Sequence, residues 1–200
     1  KAMLNRAVDW DLLEKNPLER VRPLKEDKNP IVRYLTVDEE LRLRNALVDR
    51  QQHQIAERDR HNKWLTERGR DTFPTLFECK YTDYLMPMVL TALNTGMRRG
   101  ELFNLRVDDI NLKSKQVQVK GSGAKSGNTR YIPLTNEGLT TLRNWIKQNK
   151  LQESNLVFPS PITGKRFDNI KKSWAGLIDI ARIQNFRFHD LRHTYASKLV

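Results

Sequence analysis

Lys115-Gln116-Val117-Gln118-Val119-Lys120, Gly121-Ser122-Gly123-Ala124-Lys125-Ser126-Gly127-Asn128 and Thr129-Arg130-Tyr131-Ile132-Pro133-Leu134 follow one another without a break, and the fold class turns on how they are read. The first six residues alternate polar and apolar, the period of a half-buried strand. The last six read as a second strand. The glycine-rich middle then closes an antiparallel hairpin. A strand follows this loop where a P-loop needs a helix, and no Gly-Lys-Ser/Thr lies at the required spacing, so the loop does not read as a nucleotide site. Lys125 at its centre could reach a phosphate and donate a proton. A solvated basic turn is the other reading.

Outward from the hairpin the periods are helical. Residues 84–95 (YLMPMVLTALNT) are apolar enough for a core helix. Asp83 is placed to cap it, and Pro87 falls in its first turn, where a missing N–H is tolerated. Gly96 breaks the pattern, 98–105 reads as a short helix, and 107–112 as a turn into a strand. Downstream, 136–149 puts Leu139, Leu142, Trp145 and Ile146 on one face. Residues 156–159 are short and extended, 168–181 are helical, and a last helix starts near Phe188. Upstream, Thr36-Val37-Asp38-Glu39 is a capping box opening a helix from about 37 to 50. Residues 50–72, glutamine-rich and charged around Trp64, read as a polar helical extension of it and a loop. The fold class is therefore α+β, mainly helical, with a small antiparallel sheet packed on the helices.

Residues 1–15 approximate an amphipathic helix (Ala2, Leu4, Ala7, Val8, Leu12, Leu13) that Asn16-Pro17 ends, because the residue before proline avoids the α region. So short a helix could not fold alone. Residues 1–17 are thus expected to be the last helix of an upstream domain, 18–35 (with Pro23 and Pro30) a linker, and 36–200 the main domain.

Charge points to the partner. The net charge is +12 in 200 residues. Residues 36–80 carry nine basic and nine acidic side chains, whereas 81–200 carry nineteen and nine. The excess lies with the hairpin and the motifs below, which suits a polyanion such as nucleic acid; solubility alone is the alternative. The single cysteine, Cys79, excludes an internal disulfide and a cysteine metal cluster. No apolar run approaches the ~18 residues of a membrane span, and no signal peptide opens the chain. A cytoplasmic protein is expected.

Two further motifs carry candidate chemistry. In Thr95-Gly96-Met97-Arg98-Arg99-Gly100-Glu101-Leu102 a core helix ends at a glycine and an arginine follows. Its planar fork matches phosphate oxygens, and Glu101, three residues on, could hold it. A surface Arg–Glu pair is the plain alternative. In His189-Asp190-Leu191-Arg192-His193, His189 and Arg192 share a helix face, a cation beside a group that moves protons near neutral pH. His189 and His193 are also spaced like half a zinc site, but Arg192 between them disfavours a dication and no third ligand suggests itself. A helix start with a satisfied histidine stays open.

Taken in order, TGMRRGEL, the lysine hairpin ending Ile132-Pro133-Leu134, and HDLRHTYAS resemble the catalytic domain of the tyrosine recombinases, the phage integrase family. The resemblance covers about residues 36–200, and the segment ending Asp11-Leu12-Leu13-Glu14-Lys15-Asn16-Pro17 looks like the end of that family's core-binding domain. It implies a site-specific DNA recombinase or integrase working through a 3′-phosphotyrosyl intermediate. Arg98 and Arg192 match the arginines that bind the scissile phosphate. Lys125 matches the lysine that protonates the leaving 5′ oxygen, His189 the motif histidine, and Glu101 a supporting acid. The attacking tyrosine has no match: neither Tyr131 nor Tyr195 stands at its position, so the chain is expected to be a fragment that stops short of it. Double-stranded DNA is the implied partner, with tetramers on DNA for the family and a monomer for this chain. Neither a cofactor nor a metal is implied. A non-catalytic DNA-binding protein that kept the fold is the alternative.

Overall fold

The computed structural model describes residues 1–22, 32–121 and 128–199. The chain divides into two units, residues 1–31 and 32–200. In the first, helix α1 (Ala2–Asp9) stops well before the expected proline boundary. Asp11 takes a left-handed φ of 55°, and the amides of Asp11 and Leu12 donate back to the carbonyls of Val8 and Ala7. This is a Schellman closure with aspartate where glycine is usual. Pro17 therefore follows the end of the helix and does not cause it. Half of the expected linker, residues 23–31, lies outside the described residues.

The second unit runs α2 (Val37–Thr66), α3 (Leu85–Thr95), α4 (Arg99–Asn104), β1 (Ile110–Asn111), β2 (Gln116–Val119), β3 (Arg130–Pro133), α5 (Asn136–Gln148), α6 (Lys171–Ile180) and α7 (Asp190–Ser197). Its centre is α3. No residue of this helix is charged, and all but Met86 are buried. Its polar side chains bond back along the helix: Thr91 to the Pro87 carbonyl at 2.7 Å, Thr95 to Thr91 at 2.7 Å and Asn94 to Leu90 at 2.8 Å. Burying them thus leaves no orphaned group, the condition under which polar burial is tolerated. Helices α4, α5 and α7 pack around α3, and α2 packs against α6. Trp145 of α5 anchors the 156–159 segment by donating its indole N–H to the Val157 carbonyl at 2.6 Å.

Helix α2 begins at the expected capping box: the Thr36 hydroxyl accepts from the Glu39 amide, and the Glu39 carboxylate accepts from the Thr36 amide. The expected helical extension past residue 50 is present. The helix continues unbroken to Thr66, about 45 Å at 1.5 Å per residue. Past Leu47 the only residue it buries is Leu65, so the extension is held by polar clasps instead. Arg50 and Gln54 grip the Asp83 carboxylate, and the Asn62 amide pairs with both backbone groups of Phe73 at 2.9 and 3.0 Å.

The sheet has three antiparallel strands in the order β1-β2-β3: the expected hairpin of β2 and β3, and β1 within the 107–112 stretch read as a turn into a strand. Val117 faces Ile132, and Val119 faces Arg130. Val117, Val119 and Ile132 are buried, so the inner face of the sheet rests on the helices as the period-two alternation requires. Arg130 occupies that same face.

Candidate active site

Backbone geometry delivers the first arginine. Gly96 ends α3 in the left-handed region at φ 58°, and the chain turns at once into α4 with Arg98 as its N-cap. Glu101, in the first turn of α4, is only 4% exposed at its side chain. Its carboxylate accepts the Arg98 backbone N–H at 2.8 Å and one Arg98 guanidinium nitrogen at 3.1 Å. A second guanidinium shares it: Arg130 donates Nη1 to Oε1 at 3.0 Å and Nη2 to Oε2 at 2.6 Å. Burial alone would raise the Glu101 carboxyl above the usual range; the Arg130 fork, then Arg98, outweigh it and hold the group below. Sequence reasoning passed over Arg130. A signal was available: it lies two residues before the apolar Ile132, so the pleat points a cation at the helices, where it needs an anion.

The second arginine comes from α7. Leu35, just before α2, donates its amide to the Thr194 hydroxyl at 3.0 Å and ties α7 in place. Asp190, fully buried at the start of α7, accepts the Arg187 amide at 2.8 Å and both ends of the Arg187 guanidinium. With α7 so fixed, Arg192 donates Nη1 to the Gly96 carbonyl at 2.5 Å. Burial, then the positive charges of Arg98 and Arg130, make protonated Arg192 less favourable than an ordinary arginine, with Glu101 opposing. Three guanidiniums therefore share one field with one carboxylate.

His189 precedes α7 and sets its ring edge-on to that of His193, centroids 5.5 Å apart. Its pKa is lowered, first by burial and then by His193, against the pull of Asp190. A neutral imidazole beside a cation cluster is fit to accept a proton. Arg98 and His189 open on a groove of about 840 Å³ whose apolar floor includes Trp174 and Phe186. Arg192 and Arg130 line a separate hollow of about 330 Å³ with Tyr131 and Tyr195. Of the described candidates, Arg98 bonds Glu101 and Arg192 feels its charge, while Arg98 and His189 open on one hollow and Arg192 on the other. Lys125 lies outside the described residues. Among the described residues, no group of three or more His, Cys, Asp or Glu side chains is placed to hold a metal, and no helix is long and apolar enough to cross a membrane.

The chain belongs to the phage integrase family, whose model matches residues 71–200. Its relatives within that family include tyrosine recombinases. It is 26% identical to the integrase of Salmonella phage P22 over all of this chain and 44% of that protein. It is 30% identical to the tyrosine recombinase XerA of Pyrococcus furiosus over 56% of this chain and 40% of the relative. The chain therefore spans less than half the length of either. Its fold is similar to that of the Tn1549 transposon integrase, solved in complex with a circular intermediate DNA, with a TM-score of 0.64 and 17% identity over all of this chain and 63% of the other.

Proposed function

We propose that this chain supplies the phosphate-gripping part of a tyrosine-type site-specific DNA recombinase. The observation that carries the reading is the grouping of Arg98, Arg130 and Arg192 around the single buried carboxylate of Glu101. Three positive charges against one leave an excess of two. A phosphodiester carries one negative charge and gains a second as a nucleophile adds to phosphorus. A site with that excess stabilises the pentacoordinate state more than the ground state, which is the condition for catalysis.

In this reading Arg98 and Arg192 hold the non-bridging oxygens of the scissile phosphate. A tyrosine oxygen attacks phosphorus, forming a 3′-phosphotyrosyl bond and breaking the bond to the 5′ oxygen. His189 assists removal of the tyrosine proton, and Lys125 gives a proton to the departing 5′ oxygen. The reverse attack by a 5′ hydroxyl rejoins the strand without ATP, because the covalent intermediate keeps the bond energy. None of the chain's five tyrosines is assigned as the nucleophile. Tyr195 packs its ring on Gly96, and Tyr131 points outward from β3 at 63% exposure. Double-stranded DNA is the proposed partner, with a tetramer on DNA for the whole recombinase and a monomer for this chain. Residues 1–17 are read as the end of a core-binding domain and 36–200 as the catalytic one.

The test is binding of a labelled duplex at several salt concentrations. Affinity is expected to fall steeply with salt, and Arg98→Ala is expected to lower the log–log slope by about one. A flat salt response would overturn the DNA reading. A nicked duplex that traps covalent protein–DNA adducts is expected to trap none with this chain; a trapped adduct would show that one of its own tyrosines attacks.

A further inference from the structure

We infer that Arg130 is a positioning residue that keeps Arg98 available to the phosphate by occupying Glu101 in its place. The inference rests on the DNA reading above and gives one residue of that site a role the motifs do not assign.

The argument starts from the count of bonds at one carboxylate. Glu101 is buried, so both its oxygens need partners. Arg130 meets them with a parallel pair of N–H donors, one to each oxygen. That is the geometry in which a guanidinium binds a carboxylate most strongly. Arg98, by contrast, makes one side-chain contact, from Nη1 alone, and is 37% exposed. Its remaining side-chain N–H groups make no bond within the described residues, and Arg98 lines the groove that His189 also faces.

The two arginines therefore divide the work. Without Arg130, Glu101 would be a buried anion with Arg98 as its one hydrogen-bonded cation. Arg98 would then rotate to meet both oxygens and give up the donors that face the groove. Only an arginine at 130 serves fully, because a lysine offers a point charge and no fork. The strand supports this use of the residue. Arg130 pairs with Val119 across the sheet, on the face that carries Val117 and Ile132, so its side chain starts from the buried side.

The test has two arms, both on the intact 200-residue chain with Arg130→Ala, and with Arg130→Lys as the variant that keeps the charge should the alanine protein not fold. The first arm uses no DNA. Hydrogen exchange at the Arg98 guanidinium, followed by NMR, is expected to slow by about tenfold in the variants as Arg98 gains a second bond to Glu101. Adding Glu101→Gln, which removes the anion, is expected to return it to the wild-type rate. Unchanged exchange in Arg130→Ala or Arg130→Lys overturns the inference. The second arm adds a short duplex. In the wild type the Arg98 side-chain signals are expected to shift on binding, and in Arg130→Ala to shift less, with restoration in the double variant. If the wild-type Arg98 signals ignore DNA, the DNA reading fails, while the first arm still decides the positioning. If Arg130→Ala responds to DNA as the wild type does, the positioning role is overturned and the DNA reading stands.

Discussion

The guanidinium of Arg192 donates to the backbone carbonyl of Gly96, 2.5 Å away, joining the last helix of the described chain to the end of its most buried one. The same junction is closed sterically. A Cβ at position 96 would overlap the ring of Tyr195, one turn beyond Arg192. Gly96 is thus required twice, for a left-handed φ and for the space above it.

Gly96→Ala is therefore expected to destabilise the chain by about 2–4 kcal/mol, combining left-handed strain with overpacking. Urea unfolding followed by circular dichroism measures this. A midpoint equal to the wild type would show that Tyr195 does not rest on Gly96.

The acidic limb of stability should depend on Glu101. Its folded pKa lies below the ordinary glutamate value of about 4.3. Its contribution is then fully present above that unfolded value and lost as pH falls through the lower, folded one. Asp190 behaves the same way, held low by Arg187 against burial. Urea midpoints from pH 7 to pH 3 should fall below about pH 4, and less steeply in Glu101→Gln than in the wild type. Parallel curves for the two proteins would argue against it.

His189 should titrate below the ordinary histidine value of about 6.5. A lowered folded pKa means that the unfolded chain binds the proton more readily, so this group costs stability as pH drops through its unfolded value. His193→Asn is expected to move the His189 titration upward but not fully back, because burial is the larger cause. Proton NMR of the imidazole signals reads this directly. A His189 titration unmoved by the substitution would remove His193 as a cause.

The polar extension of α2 should loosen when one clasp is removed. Asn62→Ala deletes both hydrogen bonds to Phe73 and is expected to cost about 1 kcal/mol. Amide hydrogen exchange should rise near residues 58–66 and stay unchanged in α3. A uniform rise across the chain would mean that the clasp serves global stability instead.

Much of the architecture was legible because it is written in short-range patterns. The alternation of Gln116–Val119, the capping box at Thr36 and the apolar run of α3 each state their element within a few residues. Where the reading missed, the deciding partner was distant in sequence or local strain was accepted. The polar extension of helix α2 was read, but not what holds it: Asp83 and Phe73 return to clasp it, and no apolar period records that. Helix α1 stops early because Asp11 accepts a left-handed φ that residue propensity disfavours. The strand expected within 107–112 is only two residues long, too short to show a period, so its pairing with β2 was not legible.

The same division holds at the site. The sequence by itself determined the residue types and their order: Arg98 and Glu101 after a helix-ending glycine, Lys125 between two strand patterns, and His189 and Arg192 three apart. It also determined the basic excess of residues 81–200, since charge needs no fold to be counted. Only the tertiary structure decided that Arg130 and Arg98 share one buried carboxylate and that Arg192 reaches the end of α3. Side-chain spacing along a helix or strand is set by backbone geometry and repeats within a turn. The choice of a partner twenty-nine or ninety-six residues away is set by how the elements pack.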